Sequence, residues 1–297
     1  MDLTYHIFAT LTTSQEERLR ALNADDIQLD GWRVIIFSTA TYQKALPILS
    51  ESSDLSVSKL PNYTEEDTLK SEYCRLGHPH TGGYPKPDKD YGYKEITYDK
   101  TKMCPLCCSP RIQKDAFRVT KAPHHKLWSF TSWVIDAYFA DEETYEGVFR
   151  PLGIGCRPLR YYRKKDIIDG VVQIDIPVCN EPLDMLGYRY KICPVCGSVR
   201  YDNSDMPSPC FPLPEHPSGH IYMTQEYFGF GGQSDRRVIV SAELRDRLIA
   251  AKAAKWYHFA PCAHTPPRNP EAHIRTEFLG EDKWGKEYVD VGFKLSR

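Results

Sequence analysis

The chain has 297 residues, 41% hydrophobic and 26% charged, with a formal net charge of -2 and a pI near 6.6. That length admits one large core or two modest domains, and that composition argues against whole-chain disorder. The near-neutral charge gives no basic excess to drive non-specific binding to nucleic acid, and no run approaches the ~18 consecutive apolar residues of a membrane-spanning helix. The N-terminus has no basic segment followed by an apolar run, so no signal peptide is expected and the expected location is the cytoplasm. In that reducing compartment, metal binding is the favoured reading of paired cysteines among the ten present.

In chain order, residues 3–12 read as a strand, and Ser14 followed by Glu16 and Glu17 reads as a helix start. Trp32 to Ser38 is an apolar, β-branched run expected as a buried strand, and Thr41 to Leu49 a short helix interrupted at Pro47. Residues 1–70 are expected to form a small α+β unit. Residues 71–95, rich in Gly, Pro, Tyr and Asp, read as a linker or exposed loop. From 96 to 265 the aromatic and β-branched runs, among them CRPLRYY and VVQIDIPV, predict a mainly antiparallel sheet with a few helices. The stretch DEETYEGVFRPLGI predicts a short helix ending at Gly153. Arg236 to Ser241 predicts a strand, Ala242 to Lys255 a helix capped by Ser241, and Trp256 to Pro261 a closing strand. Residues 266–297 form a polar, Pro-rich tail whose last stretch, EYVDVGFKL, alternates like an edge strand. The fold class expected is therefore α+β.

Two CPxC motifs carry the chemistry: Cys104-Pro-Leu-Cys107 and Cys193-Pro-Val-Cys196. Each is a tight turn able to aim two thiolates at one point, and two such turns supply the four soft donors of a tetrahedral zinc ion. The separation of the motifs exceeds the usual ribbon spacing, so the expected metal clamps distant segments together. With four thiolates bound, no position remains for water, and the zinc is expected to be structural. Gly197 after the second motif suits a turn with positive φ. The same position after the first motif is Cys108, which leaves one extra thiol as an alternative ligand. The bland reading of all these cysteines is free, buried and inert thiols.

Other candidates carry weaker signals. Cys74, His78 and His80 have the spacing of half a metal site but no second pair nearby, so solvated loop residues are the simpler account. His124 and His125 need a carboxylate partner that sequence cannot supply. Asp136, Asp141, Glu142 and Glu143 read as an exposed helix start rather than a catalytic cluster. Phe228 to Gly232 lacks the Gly-Lys-Ser/Thr of a phosphate loop and reads as a turn with aromatic packing. Arg157 to Lys165 (RPLRYYRKK) mixes basic and aromatic residues as single-stranded nucleic-acid sites do, although a solvated strand face is the simpler account.

Over about residues 95–262, the order of features resembles the bacterial double-CxxCG motif proteins, a group that includes immunity proteins of polymorphic and contact-dependent toxin systems. The matching features are CPLC, the middle sheet region SWVIDAYFADEETYEGVFRPLGIGCRPLRYY, CPVCG, and an ending with an aromatic–Gly loop, strand, helix and strand. Cys108 departs from the pattern, which has glycine there. The resemblance implies a non-enzymatic, zinc-stabilised protein that binds and neutralises a cognate toxin. No membrane partner is expected, and no small-molecule substrate is identified from the residues. A zinc-ribbon-type nucleic-acid-binding protein is the alternative, motivated by the knuckles and by RPLRYYRKK.

Overall fold

The computed structural model describes residues 2–30, 33–131, 134–185, 188, 190–201, 210–229, 234–264 and, for the backbone alone, 276–278. The chain begins with β1 (Asp2–Phe8), α1 (Thr13–Leu22), β2 (Ile27–Asp30), β3 (Arg33–Ile36), α2 (Thr39–Leu49) and β4 (Ser56–Asn62). The strands form an antiparallel sheet in the order β2-β3-β1-β4. Period-two alternation turns Tyr5, Ile7 and Ala9 inward, where they meet Leu19 of α1 and Ala45 and Leu49 of α2. Every residue of this core lies before residue 58. Thr12 caps α1, not Ser14. Its hydroxyl accepts from the Gln15 amide while the Gln15 side chain accepts from the Thr12 amide, a reciprocal pair Ser14 cannot make with Glu17 in this register. α2 continues through Pro47 to Leu49, because burial of Ala45, Ile48 and Leu49 outweighs one lost backbone bond.

The next two elements depart from expectation. α3 (Glu65–Lys70), expected with the first unit, packs instead on the C-terminal part of the chain: Thr68 donates to the Phe259 carbonyl. β5 (Tyr73–Leu76) lies in the segment expected as a linker, yet it is the central strand of a five-stranded sheet. Cys74 and Leu76 alternate into the core at 0% and 4% exposure, and the turn-forming residues begin only at Gly77. Composition averaged over 71–95 hides this four-residue strand.

There follow α4 (Tyr93–Thr97), β6 (Arg118–Val119), β7 (Leu127–Ser129), β8 (Tyr138–Asp141), α5 (Glu142–Thr144), β9 (Cys156–Tyr161) and β10 (Ile167–Ile174). The helical stretch after Asp141 ends as expected at Gly153, whose φ of +72° stops it. The remaining elements are β11 (Tyr190–Ile192), β12 (Val199–Tyr201), β13 (Phe211–Pro212), β14 (Ile221–Met223), β15 (Tyr227–Phe228), β16 (Val238–Ser241), α6 (Ala242–Ala250), β17 (Phe259–Ala263) and β18 (Thr276–Phe278). Ser241 caps α6 by accepting from the Leu244 amide.

Three sheets result, ordered β6-β9-β10-β8-β7, β13-β17-β5-β16-β14 and β15-β12-β11-β18. Most pairings are antiparallel, and the fold is α+β. The first two sheets share one core with α6, through Leu127, Tyr138, Ile174, Val240, Leu248 and Phe259. A second cluster of stacked and edge-on aromatic rings, Phe117, Trp128, Phe130 and Phe139, fills the side of the first sheet. Within the expected tail, β18 pairs in parallel with β11, while EYVDVGFKL lies outside the described residues. No helix among the described residues is long and apolar enough to cross a membrane.

Candidate metal centre

The second CPxC motif is the turn of the β11–β12 hairpin, held in register by Ile192 opposite Val199. The first motif sits at the tip of a looser hairpin, where Tyr98 bridges Gln113 and the Asp99 amide donates to the Ile112 carbonyl. The two turns close on the same bonds. Cys108 N donates to Cys104 O, and Gly197 N to Cys193 O, each at 2.9 Å. Cys104 N donates to Ser109 O and Cys193 N to Ser198 O, also at 2.9 Å. Each turn therefore points both of its thiols in one direction.

The sulfurs of Cys104, Cys107, Cys193 and Cys196 all lie within 4.8 Å of one another. Cys104 Sγ is 3.9 Å from Cys193 Sγ, and Cys107 Sγ is 3.5 Å from Cys196 Sγ. A tetrahedral tetrathiolate with metal–sulfur bonds of ~2.3 Å has edges of about 3.8 Å, so the spacing fits a metal and is far too long for disulfides. These four cysteines can hold a metal ion. They form the one cluster of three or more Cys, His, Asp or Glu donors converging in this way among the described residues.

Cys108 is not in that cluster. It occupies the position of Gly197 with a φ of +55°, against +71° for the glycine, so the turn demands the left-handed region at both places. For an L-residue that conformation costs roughly 1–2 kcal/mol. Its side chain is buried, which raises the thiol pKa, opposed by the nearby cations of Lys94 and Arg111. Lys94 is itself buried beside the rings of Tyr91 and Tyr93, and burial pushes its pKa down to about 8.

A residue that sequence spacing does not single out completes the surroundings. Arg200 of β12 is 1% exposed and donates from Nη2 to Cys107 Sγ at 3.1 Å. Burial raises the Cys107 thiol pKa, and the Arg200 charge opposes that rise. Cys193 is also raised by burial. Cys196 is more open: burial raises it, but its Ser198 neighbour at 3.2 Å and its other hydrogen bonds win and bring it down to about 6. The Arg200 guanidinium lies 4.5 Å from the centre of the Tyr227 ring, and those of Arg236 and Arg111 lie 4.6 Å and 5.7 Å from it. The Tyr227 hydroxyl accepts from the Arg111 amide, tying the exit of the first turn to β15.

The other candidates scatter. Cys74 is fully buried near Arg245 and the Thr68 carbonyl, and His78 Nδ1 lies 2.7 Å from Ser129 Oγ. His80 stacks on His125 with centroids 4.2 Å apart, and none of these joins a metal cluster. The acidic group divides. Asp141 caps the following turn, accepting from the Thr144 amide at 2.8 Å, with Glu142 and Glu143 exposed beside it. Asp136 instead turns inward to pair with Arg111 at 3.1 Å. Phe228 packs against Tyr201 and Phe211, and Gly229 takes a φ of +84°; residues 230–233 lie outside the described residues. Comparison with protein-family models, curated proteins and solved structures returns no match to this chain.

Proposed function

We propose that this is a non-enzymatic interaction protein of the cytoplasm whose fold is closed by one structural zinc, and that it acts as double-CxxCG immunity proteins do, by binding and neutralising a cognate toxin. The observation that carries the reading is the convergence of two equivalent turns, 89 residues apart in sequence, on one four-thiol cluster. Four thiolates fill the tetrahedron, so a bound zinc would supply cross-linking and folding free energy and would have no place for a reacting water. Cysteine-only donors in this geometry favour zinc over harder divalent ions. Metal analysis of the purified protein should return one zinc per chain. Affinity purification from the native host should return a roughly one-to-one complex with a toxin encoded beside it. Absence of both a toxin-like neighbouring gene and a captured partner sinks the immunity reading and leaves the metal centre untouched.

One observation supports a second reading, a nucleic-acid-binding protein. The tip of the β9–β10 hairpin sets Tyr161, Tyr162, Arg163 and Lys164 around a hollow adjoining another lined by Lys121, His124 and His125. Arg157 and Arg160 are engaged elsewhere, with Asp175 and the Lys165 carbonyl, so only the second half of RPLRYYRKK is available. Salt-dependent binding of a fluorescent oligothymidylate or oligouridylate tests it, and no binding at low salt removes it.

A further inference from the structure

A cleft of ≈ 600 Å³ opens where the exit of the first metal turn meets β10 and β14. That size is in the range of small-ligand and short-peptide sites. One wall is the segment from Pro110 to Gln113, and the other is the chain from Gln173 to Val178. The walls are joined by a reciprocal amide pair: Gln113 Nε2 donates to Gln173 Oε1 at 2.9 Å and Gln173 Nε2 to Gln113 Oε1 at 2.8 Å. Ile112 and Val178 stand on its rim at 49% and 39% exposure and give the cleft an apolar lip.

Its polar lining is cationic in excess. Arg111, Arg157 and Arg236 face Asp136 and Asp175. Arg157 is paired with Asp175, and Arg111 with Asp136 and, behind the lining, with Asp235. Arg236 makes no ion pair within 4 Å among the described residues, although its charge acts on the buried carboxylate of Glu226; its guanidinium rests on the Tyr227 ring. Two arginine nitrogens of the lining, Arg111 Nη1 and Arg236 Nε, are buried without a hydrogen-bond partner. A buried donor left unmade costs roughly 1–3 kcal/mol; both atoms are closed to solvent, so an incoming acceptor recovers that cost only by drawing the guanidinium toward the cleft. A carboxylate suits arginine in charge and in planar geometry.

We propose that this cleft binds a carboxylate carried beside apolar side chains, as in an acidic–aliphatic segment of a partner protein, with Arg236 as the principal anchor. The inference rests on the interaction-protein reading and gives it a docking position. It also gives the metal a consequence beyond stability. The wall carrying Arg111 leaves the first metal turn directly, so loss of metal unfixes the cleft.

Titration of the zinc-loaded protein with acetyl-Leu-Asp-Leu-amide and with acetyl-Leu-Asn-Leu-amide, followed by amide chemical shifts, tests this. The Asp peptide is expected to bind about tenfold tighter, the worth of one modest charge-assisted contact, with shifts at Ile112, Gln113 and Val178. Arg236→Gln should remove the preference, while Lys164→Ala should leave it. Equal binding of the two peptides by the wild type, shifts confined to other surfaces, or acetate competing as well as the tripeptide overturns the proposal without reference to any variant's folding. None of those results bears on whether a toxin is captured from the host, so the two readings fail separately.

Discussion

The two metal turns share their hydrogen bonds but not their surroundings. In the first, Cys104 and Cys107 are 6% and 1% exposed, Cys107 is held by Arg200, and Cys108 adopts a strained left-handed φ of +55°. In the second, Cys196 is exposed, and Gly197 takes φ +71° with nothing within 4 Å of the Cβ it lacks. The difference teaches that the left-handed residue is dictated by the turn, whereas its identity is decided by what surrounds it. At Gly197 the site is open and a side chain would gain nothing for the strain. At Cys108 the site is enclosed, and burying a thiol offsets part of the conformational cost.

The largest effect separates the turns from the rest of the chain. Cys107→Ser or Cys193→Ser should lose the metal and destabilise the part beyond residue 64 by several kcal/mol, as chelation of the wild type should. The N-terminal unit, whose core uses only residues before 58, should keep its own melting transition. Calorimetry with and without chelator checks this, and stoichiometric metal in Cys193→Ser would overturn the ligand set. Next comes Arg200→Met, which removes the hydrogen bond to Cys107 and should cost about 1.5–3 kcal/mol, together with weaker metal retention in competition with a chromophoric chelator. Unchanged retention would show that Arg200 packs but does not stabilise the thiolate.

Gly197→Ala isolates backbone strain, because the added methyl meets no atom. It should destabilise by about 1–2 kcal/mol with metal content unchanged, measured by denaturant unfolding. Smallest in its effect on the metal is Cys108→Ala, which should retain one metal per chain, since this thiol is outside the cluster. Metal lost in that variant would place Cys108 among the ligands and dissolve the equivalence of the two turns.

The legible parts were local. Ser241 as a helix cap, Gly153 as a stop, β9, β10 and β16 as strands, and the pairing of the two CPxC motifs all follow from residue types a few positions apart. β5 escaped notice because four alternating residues are too short to register against the Gly/Pro-rich stretch that follows. Arg200 and Tyr227 escaped because nothing in their spacing marks them; a hairpin register and a parallel strand pairing bring them to the metal turns.

The amino-acid sequence by itself determined that Cys104, Cys107, Cys193 and Cys196 stand in two equivalent turns and that position 108 carries the burden borne by Gly197, because a CPxC turn encodes its own direction and its own positive φ. Only the tertiary structure decided that the four sulfurs converge without Cys108, and what surrounds them. It assigned Arg200 to Cys107, turned Asp136 away from the helix start to Arg111, and opened an arginine-lined cleft beside the first turn. The two pairings join residues 93 and 25 positions apart. Their energy comes from desolvation and charge in a shared interior, which no local pattern of residues records.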